Sequence, residues 1–306
     1  MAQPASPSAD NPLPWVSVQD LNGVRLLTAA NGKVNALSRP LRMALLNALS
    51  EAAMALDVSA LVLRCAGRTF FAGADLQELD RGFEPPGLLE IVDACAAAPQ
   101  PVVAALHGTV YGGGVVMAYA CDWRVAAHDA RFAMPEVGLG LLPTFGGTQL
   151  LPRLVGVPAA LELVLDGVQW DAAMALRHGL VDEVVPAAEL QAAALGAARR
   201  VPGKRPVREA RRHLNEPVCS AAALADRWQA LQEAPRAAPE AVLRCLRLMD
   251  EGLRMPLDEA LAREHEAFLD LLASPESRRL RQDFFAQRAQ RRGFVERAPG
   301  ALEGSR

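Results

Sequence analysis

Three short segments and one glutamate carry the backbone shapes and side chains that chemistry needs. Gly67 to Leu76 reads GRTFFAGADL, and His107 to Gly114 reads HGTVYGGG. Phe132 to Pro143 reads FAMPEVGLGLLP and runs on into Gly146-Gly147-Thr148-Gln149. The first two are small-residue turns, each leading from a strand pattern into a helix pattern. Small residues let a ligand approach the backbone closely. A helix start presents unpaired N–H groups at the positive end of its dipole. Two such groups converging on one point suit a carbonyl oxygen that gains negative charge. Glu136, in the third segment, is flanked by the apolar stretches Phe132 to Met134 and Val137 to Leu142. A partly buried carboxyl with a raised pKa, ready for proton transfer, is expected there.

Other chemistries lack their residues. No GxGxxG follows a strand pattern, and there is no GxxxxGK[ST] and no GxSxG. His107 opens the second segment and is expected to pack beneath its glycines. His128, His178, His213 and His265 show no metal-ligand spacing, and no metal is expected because the N–H pair itself polarises a carbonyl. The five cysteines, Cys65, Cys95, Cys121, Cys219 and Cys245, sit singly in apolar stretches and read as buried reduced thiols. A reducing, cytoplasmic setting fits them.

Alternating elements must position these segments. Trp15–Gln19 and Val24–Ala29 read as a hairpin about Leu21-Asn22-Gly23. Arg39–Leu56 has helical spacing with Ser38 as N-cap. Ala60–Leu63 and Trp123–Ala127 read as strands, and Pro101–Leu106 as a strand buried on both faces. Pro86–Ala97 reads as a helix, and another starts in Gly112-Gly113-Gly114 and runs to Cys121. The alternation continues to Pro186 and predicts α/β layering. Beyond it come only helix patterns: Ala187–Val201, Ala221–Gln232, Pro239–Arg254, Leu257–Leu272 and Glu276–Arg292. The expected division is a disordered leader over 1–14, an α/β core over 15–200, a helical region over 201–292 and a flexible tail over 293–306.

The 306 residues are 51% hydrophobic and 22% charged, with 32 Lys plus Arg against 35 Asp plus Glu. That balance suits a globular chain with a sizeable core and gives no basic footprint for nucleic acid. No apolar run reaches the roughly 18 residues of a membrane span, and the first residues lack the pattern of a secretory signal.

Together the three segments resemble the crotonase (enoyl-CoA hydratase/isomerase) superfamily, over roughly Trp15 to Pro186. Asn35-Ala36-Leu37 resembles that family's first CoA-contacting segment. The resemblance implies a ββα spiral core and an enzyme that stabilises a thioester enolate. It places the oxyanion hole on the backbone N–H groups of Ala74 and Gly113, and the family's second catalytic glutamate on Glu136. It implies CoA contacts at Asn35, Ala36, Leu37, Ala72, Gly73 and Asp75, and a substrate pocket that includes Tyr111, Gly112, Val116 and Thr144. Coenzyme A is then part of the substrate and no separate cofactor is expected. Glu264 to Arg288 resembles the helix that follows the hydratase part of multifunctional β-oxidation proteins. No Rossmann fingerprint follows it here, so no dehydrogenase activity is expected. Family resemblance also implies a homotrimer, or a hexamer of two trimers.

Two positions depart from the family pattern. Hydratases carry GGG-x-Glu, with a first catalytic carboxylate 20 residues before the second; here that position is Val116. No Asp or Glu lies between Asp93 and Asp122 to replace it. The usual Pro-Gly after the second glutamate is Pro143-Thr144. Hydration divides water activation and proton delivery between two groups. A single carboxylate above an oxyanion hole can still move a proton from C2 to C4 of a 3-enoyl thioester. The residues therefore favour a Δ3,Δ2-enoyl-CoA isomerase. A 2-enoyl-CoA hydratase with an unusual site and a non-catalytic acyl-CoA-binding homologue are the alternatives. Retention of Ala74, Gly113 and Glu136 counts against the last. Asp80 and Glu84 are candidates to reach the pocket from a loop.

Overall fold

The run Val102–Leu106 is apolar at every position, which only a strand covered on both faces requires. In the computed structural model, which describes residues 15–81, 84–201, 203–204, 217–233 and 239–297, it is the fourth strand of a six-stranded sheet. The elements up to that strand are β1 Val16–Leu21, β2 Val24–Ala29, α1 Arg39–Ala53, β3 Ala60–Cys65, α2 Leu76–Arg81, α3 Leu88–Ala97 and β4 Val102–Leu106. There follow β5 Thr109–Tyr111, α4 Gly113–Ala120, β6 Trp123–Ala127, β7 Arg131–Ala133, α5 Leu150–Val155, α6 Val157–Leu165, β8 Trp170–Asp171, α7 Ala172–Arg177, β9 Glu183–Val185 and α8 Leu190–Arg200. Four helices complete the chain: α9 Pro217–Glu233, α10 Pro239–Gly252, α11 Leu257–Ala273 and α12 Pro275–Arg297.

The large sheet runs β1-β2-β3-β4-β6-β9, antiparallel only at the β1–β2 hairpin. Alternate residues of its strands enter two separate cores. Val62, Val103, Ala105 and Val125 pack with Leu190, Ala194 and Ala197 of α8. Leu61, Leu63, Val102, Ala104 and Leu106 enter the larger core with α1, α3, α4 and the C-terminal helices. Each such leucine contributes about 1.5–3 kcal/mol by leaving water. β5, β7 and β8 form a second, three-stranded sheet beside the first.

Ser38 does precede α1, but its Oγ makes no capping bond; it accepts from Asn31 Nδ2 at 3.1 Å instead. Helix α12 runs to Arg297, five residues into the stretch expected to be a flexible tail. One glycine, Gly293, did not end it. The leader 1–14 and residues 298–306 lie outside the described residues. Cys65, Cys95, Cys121 and Cys245 are buried free thiols. Among the described residues no helix is long and apolar enough to cross a membrane.

Candidate active site

The loops after β2, β3 and β5 meet at one end of the sheet, where ligands of α/β layers are usually held. Asn35 ties the first two together. It is buried with φ +47°; its Oδ1 accepts from Asn31 N–H at 2.7 Å, and its Nδ2 donates to Ala66 O and Thr69 O, both at 2.9 Å. Leu37 N–H then donates to Gly73 O at 2.9 Å, and Ala72 N–H to Val34 O at 3.1 Å. Asn35 and Leu37 thus stand behind the site wall as supports, while Ala36 lies on it.

Two glycines let the third loop close on the second. Gly73 has φ +110°, and a Cβ there would sit 3.3 Å from Tyr111 O. A Cβ on Gly114 would sit 2.0 Å from Phe71 O. With these contacts made, Ala74 N lies 3.5 Å from the place a Cβ of Gly113 would occupy. Gly113 opens α4, so its N–H has no partner within the helix. Among the described residues neither the Ala74 nor the Gly113 N–H donates to a backbone carbonyl. Two adjacent unclaimed donors are the means to hold an oxyanion.

Glu136 is brought to the same point through β7. Gly112 N–H donates to Ala133 O at 2.9 Å, which fixes the start of α4 against the end of that strand. Glu136 opens a short 3-10 helix, Glu136–Leu139. Its Oε1 lies 2.5 Å from where Gly112, at φ +50°, would carry a Cβ, so any side chain at 112 displaces the carboxyl. Its Oε2 is buried without a hydrogen-bond partner. Burial pushes the Glu136 carboxyl up to about 7, where both protonation states are accessible near neutrality.

A cavity of about 1270 Å³ joins these groups. It is lined by Ala36, Ala72, Gly73, Ala74, Asp75, Tyr111, Gly112, Gly113, Val116, Glu136 and Thr144, all expected from the sequence. Val116, 2% exposed, faces it from the first turn of α4. Thr144 is 9% exposed, and its Oγ1, like Glu136 Oε2, is buried and unpartnered. Tyr111 Oη accepts from Gln169 Nε2.

Other candidates fall elsewhere. Glu84 is exposed, pairs with Arg39 at 3.2 Å and is absent from the cavity wall. The Asp80 side chain lies outside the described residues. His107 does pack beneath its segment, with Nε2 3.2 Å from Gly67 O, and faces a separate polar recess. Sequence reasoning missed Glu90 and His265, which line the cavity. The α11 spacing His265, Phe268, Leu269, Leu272, at i, i+3, i+4 and i+7, was the available signal for the second.

A family model described as enoyl-CoA hydratase/isomerase matches residues 20–232. The chain belongs to this family. It is 37% identical over 275 residues to the peroxisomal bifunctional enzyme of Homo sapiens, and 36% identical over 267 residues to that of Danio rerio. Each alignment takes in 87% of this chain, which spans only 37% of the length of either relative. The enoyl-CoA hydratase/isomerase from Pseudoalteromonas atlantica superposes with TM-score 0.67 at 28% identity, covering 89% of this chain and 97% of that one. The enoyl-CoA hydratase of Mycobacterium avium subsp. paratuberculosis gives 0.61 at 27% identity, covering 88% and 98%. The α/β core with its helical C-terminal region is thus a crotonase fold.

In this enoyl-CoA hydratase/isomerase family chain a buried carboxylate fastens helix α11 to the site. Glu264 of α11 is fully buried. It accepts from Gly146 N–H at 2.7 Å, Thr148 N–H at 2.8 Å and Thr148 Oγ1 at 2.6 Å. The loop so held carries Thr144 and Phe145, and Phe145 O accepts from Tyr119 Oη of α4 at 2.8 Å. Gln149 Nε2 donates to Leu248 O at 2.8 Å, and Arg153 donates to Gly252 O at 3.0 Å, adding two further ties. Glu264→Ala strands three buried donors, and the expected loss is about 3–5 kcal/mol of unfolding free energy. Urea denaturation at neutral pH measures it; a loss below about 1 kcal/mol contradicts the clamp.

Proposed function

We propose that this chain is a Δ3,Δ2-enoyl-CoA isomerase in which Glu136 alone takes and returns the proton. One observation supports it above others. Of the three cavity carboxylates among the described residues, Asp75 and Glu90 accept from the backbone N–H groups of Gln77 and Gly87. Glu136 alone keeps a buried, unpartnered oxygen, and Val116 offers no second acceptor on α4.

In this reading the thioester oxygen of a 3-enoyl-CoA accepts from the Ala74 and Gly113 N–H groups. The Glu136 carboxylate removes a proton from C2, and the electron pair delocalises as a dienolate onto the oxygen that the two N–H groups stabilise. The same carboxyl then delivers the proton to C4, leaving the conjugated 2-enoyl thioester with no net change in atoms. An apolar wall at Val116 keeps water from C3 while the dienolate exists. The CoA moiety leaves along Ala36, Ala72, Gly73 and Asp75. Action on β-oxidation intermediates and assembly as a trimer, or a pair of trimers, belong to the same proposal.

Thr144 favours a second reading. Its buried, unpartnered hydroxyl can hold a water in the cavity, as a 2-enoyl-CoA hydratase needs. Parallel incubation of wild-type protein with 3-enoyl-CoA and 2-enoyl-CoA separates the two. The isomerase shifts the first without adding water to the second.

A further inference from the structure

We infer that Arg42 and Glu78 are a positioning pair, which holds both flanks of the Ala74 N–H and so sets how strongly the site polarises a bound thioester carbonyl. This rests on the acyl-CoA reading above and adds two residues that do not line the cavity. Arg42 stands in the buried stripe of α1 with Leu41, Leu45, Ala48 and Leu49, where helical spacing alone calls for an apolar residue. Its side chain is fully buried. Burying a charge is unfavourable unless it is paired and hydrogen-bonded, and departures of that kind gather at functional sites.

The bonds of this guanidinium converge on the oxyanion loop. Nη1 donates to Leu37 O at 2.6 Å and to Glu78 Oε2 at 2.8 Å. Leu37 is the residue whose N–H donates to Gly73 O at 2.9 Å, and it forms a parallel bridge with Ala74 itself. Glu78 lies in α2, one helical turn past Ala74. Its Oε1 accepts from Arg39 N–H at the start of α1 at 2.6 Å, and its own N–H donates to Asp75 O at 3.0 Å. One ion pair therefore grips the chain before and after Ala74 and anchors both grips to the same helix. Nε and Nη2 donate to Pro86 O at 2.6 Å and Glu84 O at 3.1 Å, which secures the chain leading to Gly87 and Leu88 of the cavity wall. An oxyanion hole works through donors that are fixed before the charge develops, and a shift of about 1 Å in a positioned group can slow a reaction by about 10².

The test uses the full chain with Glu78→Gln, Arg42→Met and the two together. Glu78→Gln keeps the size and an oxygen for Arg39 N–H but removes the charge; Arg42→Met removes the guanidinium and leaves an apolar side chain in its buried place. Turnover of whichever enoyl-CoA wild type converts should fall about tenfold in the first and about 10²-fold in the second, with the double variant no slower than Arg42→Met because the pair acts as a unit. The dissociation constant of butanoyl-CoA, which is saturated and not turned over, should stay within about threefold of wild type. The deciding readout is the infrared stretch of butanoyl-CoA isotopically labelled at its thioester carbonyl. Wild type should lower that frequency from its value in water, and each variant should return it toward that value, which a loss of stability alone does not do. If Arg42→Met fails to fold, Glu78→Gln decides alone. Folded variants that keep either the wild-type turnover or the wild-type carbonyl frequency overturn the inference and leave the acyl-CoA reading standing. Binding weakened in step with turnover would make the pair a support of the cavity mouth and overturn it too. Failure of wild type to bind the thioester, or to lower its carbonyl frequency, overturns both.

Discussion

Glu136→Gln is expected to lower isomerase turnover by at least about 10²-fold while substrate binding changes little. Glutamine keeps the shape beside Gly112 but has no basic oxygen to accept the C2 proton. The wild-type pH profile follows from the same group. Burial holds its carboxyl at about 7 against the ordinary 4.5, and only the ionised form can act as base. Isomerisation should therefore rise with pH through about 7 and then level. The stability effect has the opposite sign. A carboxyl whose pKa is raised on folding contributes stability that is full below about 4.5 and is lost as pH climbs through about 7. Glu136→Gln should thus gain up to about 3 kcal/mol relative to wild type at pH 8 and little near pH 4.5. Rapid kinetics with 3-enoyl-CoA and denaturation at the two pH values check both limbs. Unchanged turnover would assign the base to another residue.

The double substitution Val116→Glu with Thr144→Gly should convert the site toward hydration. Val116 and Glu136 face one cavity, so a carboxylate at 116 supplies the second proton-transfer group that water addition needs. Glycine at 144 removes a side chain from the same wall and opens room for the water. General acid–base assistance by a second positioned group is worth about 10²–10⁴, and hydration of 2-enoyl-CoA should rise by at least about tenfold. The cost falls on the fold. Val116 is 2% exposed in a helix whose residues Gly114 to Ala120 are all buried, and a carboxylate there loses solvation without a partner on its own helix. The variant should unfold at lower denaturant, so activity is compared at matched folded fractions. Hydration at wild-type level in folded double mutant would show that Val116 does not limit the reaction.

Much of this site was legible because it is built from backbone. Small residues at Ala72 to Ala74 and Gly112 to Gly114 announce close backbone approach, and the contacts of Gly73 with Tyr111 O and of Gly114 with Phe71 O account for them. Strand β6 matches the strand expected over Trp123–Ala127 residue for residue. The second sheet was not legible, since β5, β7 and β8 have two or three residues each, too few for a period of two to register. Periodicity marked Leu257–Leu272 as a helix, and its Phe268, Leu269 and Leu272 line the cavity. Glu264 was quoted only as part of a resemblance. Its role depends on meeting Gly146 and Thr148 from well over a hundred residues away, and no local pattern encodes such a meeting. Asn35 read as a ligand contact because its segment matched. Its positive φ and three hydrogen bonds make it a brace between two loops.

In the proposed reading one carboxylate, facing an oxyanion hole beside an apolar residue, makes this chain an isomerase. Its most direct test is the ratio of two initial rates on wild-type protein, with products separated by chromatography. One is conversion of 3-enoyl-CoA to 2-enoyl-CoA; the other is conversion of 2-enoyl-CoA to 3-hydroxyacyl-CoA. Chain length is matched, and Glu136→Gln serves as the blank. Isomerisation should exceed hydration by at least about tenfold, since hydration lacks the second group worth 10² or more. Hydration as fast as isomerisation would contradict that reading and make Thr144, or another group, the second participant in water addition.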